Sequence, residues 1–280
     1  MFQANPKPKR TVRKWFWRLA LLLAIPYVLV CTGCAGWQRS MIYFPPVFTS
    51  SEVDQAAQKA RLERWRDSTG RAIGMKRLYT NSPAAGKVLI TYGNGGCATY
   101  TARYVNVIQE VAPLDVYTLE YPGYADRPGK PSQDSFFQAA ADAFKVLAAN
   151  GPVYLVGESL GTGVASYLAG TFSNQVAGVV LFAPYNSLVD VGQYHMPVLP
   201  VHLILVDRFP SEDYLRNYHG PLAILVGGKD PVVPEKFGRR LYDGFDGPKR
   251  LWEFPDANHG TVMQQPPKVW DELFLFLRSS

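Results

Sequence analysis

The chain has 280 residues, 47% hydrophobic and 19% charged, a globular balance that excludes broad disorder, and it carries no internal repeat. Its formal net charge of +6 resides in a leader: Lys7, Lys9, Arg10, Arg13, Lys14 and Arg18 all precede the first acidic residue, Glu52. The remainder is formally neutral, which removes any charge argument for nucleic-acid binding.

Behind the basic residues, Leu19 to Val30 form a 12-residue apolar core, followed by Cys31-Thr32-Gly33-Cys34. A basic region, a short apolar core and small residues before a cysteine describe a secretory leader. The ending resembles a bacterial lipoprotein box with Cys34 as the lipid-bearing residue, although Cys31 stands where leucine is usual. The alternative is an uncleaved anchor, because residues 19–38 carry no charge over about one bilayer span. Both readings tether the body to a membrane and, with six basic residues before the segment and Arg39 alone directly after it, place it outside the cytoplasm. The expected division is a leader at 1–36 and one catalytic domain at 37–280.

Residues 51–60 suggest a short helix, and 61–65 and 72–79 flank the turn Asp67-Ser68-Thr69-Gly70, an antiparallel edge hairpin. Parallel strands are predicted at 87–92, 115–119, 152–156, 177–182, 221–226 and 249–254, with helices between them, notably at 133–149 and 162–171. Strands alternating with helices predict an α/β class, a doubly wound and mostly parallel sheet with helices on both faces. Residues 186–220 form an insertion holding the apolar, proline-broken stretch Met196 to Val206.

Gly157-Glu158-Ser159-Leu160-Gly161 follows the strand Pro152 to Val156 and precedes a run of small residues, the layout of a nucleophile elbow around Ser159. One oxyanion donor is then expected at the N–H of Leu160. Asp230 ends the strand 221–226 and its glycine turn, and His259 lies in the loop after 249–254, so both are expected at the carboxyl edge of the sheet. The residue types suit acyl transfer: serine needs a base, imidazole titrates near neutrality, and a carboxylate fixes its tautomer. Asp256 and Asp190 compete for the acid's role, while His195, His202 and His219 are expected at solvent or lid contacts. Glu158 is expected to be solvated or salt-bridged beside the elbow, Glu120 to hydrogen-bond neighbouring loops, and Cys97 has no cysteine-based chemistry around it. Three cysteines cannot make a disulfide framework, no cluster has metal-ligand spacing, and no cofactor is expected.

Tyr92-Gly93-Asn94-Gly95-Gly96, Tyr121-Pro122-Gly123-Tyr124, the Ser159 elbow, Gly228-Lys229-Asp230-Pro231-Val232-Val233-Pro234 and Asn258-His259-Gly260 occur in that order across residues 40–280. This set resembles the α/β-hydrolase superfamily, in particular its serine-hydrolase branch of Bem46-like and lysophospholipase-like proteins. Tyr92 stands where the family commonly has histidine. The resemblance implies a second oxyanion donor from the backbone of Asn94 and a cap at 186–220. It also implies hydrolysis of a small-molecule or lipid-like carboxylic ester or thioester through Ser159, Asp230 and His259. A peptidase or amidase using the same triad, and a non-catalytic surface lipoprotein, are the alternative expectations.

Overall fold

The computed structural model describes residues 9–279, with side chains from Lys14 onward. Lys7, and the side chains of Lys9, Arg10 and Arg13 in the basic leader, lie outside the described residues. The apolar leader forms one helix, α1 (Lys9–Ile42), which runs through Pro26, through Cys31 to Cys34 and across position 36/37. Between Lys14 and Ile42 it is long and apolar enough to cross a bilayer, and almost none of that stretch is covered by protein.

Helix α2 (Ser50–Lys59) begins at a reciprocal cap in which Thr49 and Glu52 satisfy each other's backbone N–H. The edge hairpin follows as β1 (Glu63–Arg66) and β2 (Ala72–Arg77), its turn closed by Asp67 accepting from the N–H groups of Thr69 and Arg71. The chain then alternates: β3 (Gly86–Thr91), α3 (Ala102–Val111), β4 (Leu114–Leu119), α4 (Gln133–Ala148), β5 (Val153–Glu158), α5 (Leu160–Thr171) and β6 (Val176–Phe182). Three short helices, α6 (Leu188–His195), α7 (Val201–Ile204) and α8 (Ser211–Leu215), occupy the insertion. The rest comprises β7 (Leu222–Gly227), α9 (Glu235–Asp243), β8 (Lys249–Phe254) and α10 (Pro267–Ser279).

The eight strands form one sheet in the order β1-β2-β4-β3-β5-β6-β7-β8, parallel from β4 to β8 and antiparallel only where β2 meets β1 and β4. The central strands are buried along nearly their whole length, so they appear in sequence as apolar runs rather than alternations. Successive residues of β5 meet opposite helix layers. Tyr154 packs edge-on against Phe274 of α10, ring centroids 5.9 Å apart, while Gly157 lies against Thr162 and Ala165 of α5.

The 196–206 stretch yields only the one-turn α7, because Pro197 and Pro200 supply no N–H to a longer helix. Instead the stretch is held by α1. The Tyr27 hydroxyl donates to the carbonyl of Val198 at 2.9 Å, and Gln38 donates to Ile204 and accepts from the N–H of Val206. Just beyond, Asp207 is buried and takes an ion pair from Arg39 at 3.0 Å and a hydrogen bond from the Tyr43 hydroxyl at 2.9 Å. Burial next to Asp207 raises the pKa of Tyr43 well above that of a free phenol, so it remains a donor.

Candidate active site

The turn from β5 into α5 places Ser159 at φ 50° and ψ −119°, a strained conformation for a non-glycine residue. Such strain persists only where the surroundings enforce it: the Ser159 N–H donates to the carbonyl of Phe182 at 2.9 Å, the N–H and hydroxyl of Thr162 donate to the Ser159 carbonyl, and the two glycines of the elbow give the room. A Cβ at Gly161 would lie 2.1 Å from the carbonyl oxygen of Thr91, and one at Gly157 would lie 2.8 Å from Cα of Thr162. Their absence lets α5 start immediately after Ser159, two residues earlier than the sequence pattern predicted.

The residues singled out at the sheet's carboxyl edge meet there. His259 Nε2 lies 3.0 Å from Ser159 Oγ, and His259 Nδ1 lies 2.7 Å from Asp230 Oδ2. The other Asp230 oxygen accepts from the N–H groups of Val232 and Val233 at 2.8 and 2.9 Å, so the carboxylate is fully buried yet fully hydrogen-bonded. The rival acids are elsewhere. Asp256 pairs with Lys229 and is 93% exposed, while Asp190 is held by Asn186 and Arg240. Among the described residues, no cluster of three metal-ligating side chains occurs.

Leu160 and Asn94 line the same cavity as Ser159, and neither backbone N–H has an intramolecular acceptor among the described residues. The Asn94 loop is fixed from two sides. Its carbonyl accepts from Phe44 N–H and from the Tyr124 hydroxyl at 2.8 Å, and its side chain donates to the carbonyl of Ile42, the last residue of α1. Behind the loop, buried Glu120 accepts from the Tyr92 hydroxyl and from Ala98 N–H at 3.1 Å. Burial and, to a lesser extent, the Asp126 charge push the Glu120 carboxyl up to about 7 against the hydrogen bonds that favour its ionised form.

Tyr92 therefore replaces the usual histidine as a buried strut of the loop, packed against Tyr121 with ring centroids 4.4 Å apart and the ring planes tilted by 49°. Nothing in the sequence spacing pointed to Glu120 as its partner, nor to α1 as a support for Asn94.

Two hollows adjoin Ser159. One, about 230 Å³, is apolar and bounded by Met41 and Ile42 of α1, Leu188, Val191 and Leu199 of the insertion, and Val233. The other, about 340 Å³, is more polar and bounded by the 92–97 loop, Arg103, Glu158, His259 and Gln264. Arg103 bridges Glu158 at 2.7 Å along its rim. His195 sits at the edge of the first hollow, its ring 2.9 Å from the carbonyl of Val232 in the acid loop, so it makes a lid contact.

A family model for the alpha/beta hydrolase fold matches residues 86–204. An uncharacterized protein of Mycobacterium tuberculosis is 32% identical over 238 residues, covering 82% of this chain and 83% of that protein. The lysophosphatidylserine lipase ABHD12 of Mus musculus is 26% identical over 202 residues, 64% of this chain and 50% of that protein. Among solved structures, Est1E from Butyrivibrio proteoclasticus with ferulic acid bound superposes with a TM-score of 0.63 at 14% identity, over 78% of this chain and 100% of that one. The chain belongs to the α/β-hydrolase family.

Proposed function

We propose that this α/β hydrolase is a membrane-anchored serine esterase that cleaves carboxylic esters or thioesters of apolar acyl groups. The observation that carries the reading is the continuous chain Ser159–His259–Asp230, with spacings of 3.0 and 2.7 Å, at a strained elbow beside an apolar hollow. His259 Nε2 takes the Ser159 proton as Oγ attacks the acyl carbon, and Asp230 holds the imidazole in the tautomer that presents Nε2 as acceptor. The N–H groups of Asn94 and Leu160 receive the oxyanion. The imidazolium returns its proton to the leaving alcohol or thiol, giving an acyl-Ser159 ester. Water deprotonated by His259 then attacks that ester, releasing the acid and restoring the serine.

The apolar hollow suits the acyl chain and the polar one the leaving group. The named activity of ABHD12 on a lysophospholipid adds support for a lipid-like substrate. Helix α1 serves in this reading as a retained anchor with the body outside the cytoplasm. Its continuity across Cys34 and the hydrogen bond from Tyr27, upstream of the cleavage point, to the insertion favour retention over cleavage at a lipidated Cys34. The intact mass of the membrane-extracted protein separates the two, since cleavage removes residues 1–33. The enzymatic test is hydrolysis of nitrophenyl esters of increasing acyl length by the full chain in detergent, beside Ser159→Ala. Ser159-dependent turnover that rises with chain length supports the reading, and turnover unaffected by the substitution rejects it.

A further inference from the structure

Two stretches far apart in sequence carry no Asp, Glu, Lys or Arg: residues 19–38 of α1, and 191–206 of the insertion. The structure lays them side by side and ends both at one ion pair. Arg39 is the first charge after the α1 stretch, Asp207 the first after the insertion stretch, and they are 3.0 Å apart. From that pair the insertion follows α1 back as far as Tyr27, whose hydroxyl donates to the carbonyl of Val198. Twelve helical residues separate Tyr27 from Arg39, a rise of roughly 18 Å. If Arg39 marks the water boundary of a spanning helix, the insertion follows α1 through about half of a bilayer's hydrocarbon.

The outer surface of the insertion has the matching chemistry. Val198, Leu203 and Val206 are 76%, 73% and 63% exposed. Pro197 and Pro200 interrupt the backbone between Met196 and Val201, and the side chain of Gln193 meets part of the polarity this leaves, accepting from Val201 N–H and donating to the carbonyls of Met196 and Pro197. On its inner surface the same segment and α1 together wall the apolar hollow that ends at Ser159, through Cys34, Met41 and Ile42 on one side and Leu199, Ile204 and Leu205 on the other.

We propose that residues 196–206 are seated in the membrane leaflet against α1, and that the hollow between them admits the acyl chain of a bilayer lipid ester directly from the leaflet to Ser159. The inference rests on the esterase reading for the reacting group and adds the source of the substrate: a membrane-resident lipid ester rather than a water-dispersed one. A chain that slides from hydrocarbon into an apolar hollow exposes no new apolar area to water, so the transfer avoids the desolvation barrier of extraction.

The test uses the full chain reconstituted in phosphatidylcholine vesicles, with nitrophenyl palmitate held in the bilayer and nitrophenyl butyrate added from water. The double variant Leu203→Asp with Val206→Asp should lose about tenfold or more on palmitate and stay within about twofold on butyrate, since charge is expelled from the leaflet. Met41→Trp, which narrows the hollow, should shorten the longest acyl chain accepted. Unchanged palmitate turnover in the double variant, or an unchanged chain-length limit in Met41→Trp, would overturn the proposal.

Leu203→Trp gives a readout independent of activity: its added emission should be quenched by brominated phosphatidylcholine, and absence of quenching overturns the proposal even if both esters are hydrolysed. Should the double variant lose both activities, this quenching decides. Should the unsubstituted chain hydrolyse neither ester, the esterase reading fails, and quenching still reports the seating of the segment.

Discussion

The two hollows beside Ser159 are assembled in opposite ways. The polar one is framed by the turns that follow β3, β5 and β8, so its walls are the carboxyl ends of parallel strands and the residues next to them. The apolar one is closed by α1 and by the insertion, elements that precede the sheet or interrupt it and meet only through long-range packing. The difference separates two jobs. In the proposed reading the groups that perform the chemistry stand on the sheet edge, whereas the surface that would select an acyl chain is built from the insertion and α1, whose positions depend on each other.

The widest gap between the two regions should open with Ser159→Ala. It should reduce kcat on the order of a millionfold for every ester, regardless of acyl length, because the nucleophile serves both hollows. A loss that varied with chain length would break the division of labour. Asp230→Asn should come next, at about 10⁴-fold in kcat with little change in KM, measured on a short ester that barely enters the apolar hollow. A comparable loss from Asp190→Asn would instead indicate that the acid is supplied from the insertion.

The loop shared by both hollows can be tested through pH. Glu120 is raised from 4.5 to about 7 in the fold, so its contribution to stability is fully present below pH 4.5 and is lost as pH rises through about 7. Chemical denaturation in detergent micelles should record a decline of about 3 kcal/mol across that window, and Glu120→Gln should flatten it. A decline that persists in Glu120→Gln would assign the dependence to another group. The smallest effect is expected at the rim of the polar hollow. Arg103→Ala breaks a half-exposed ion pair and should raise KM for esters with anionic leaving groups about three- to fivefold with kcat unchanged. An equal rise for neutral leaving groups would remove Arg103 from leaving-group recognition.

The same contrast explains what the sequence disclosed. The eight strands lie within a few residues of their predicted positions, and Ser159, Asp230 and His259 were identifiable as candidates because each follows a strand and a turn that fix its position locally. Helix α5 began early for a local reason too, the backbone contact that Gly161 permits.

What escaped were contacts without a local signature. Asp207 belongs to no motif, yet it is buried against residues 168 and 164 positions away. Tyr92 departs from the family's histidine in a way that spacing alone cannot interpret, because its meaning lies in Glu120, on another strand's end. The support of Asn94 by Ile42 is of the same kind.

The clamp between Arg39 and Asp207 also sets an order of events during synthesis. The two residues are separated by 168 positions, which at about 5–20 residues per second corresponds to roughly 10 to 30 s of translation. Helix α1 is complete and free to enter a bilayer long before its partner exists. Ser159 emerges in that interval, ahead of the insertion that covers it and ahead of Asp230 and His259. Under the proposed mechanism a chain at that stage lacks both its base and its acid, so Ser159 cannot act until the insertion has been synthesised.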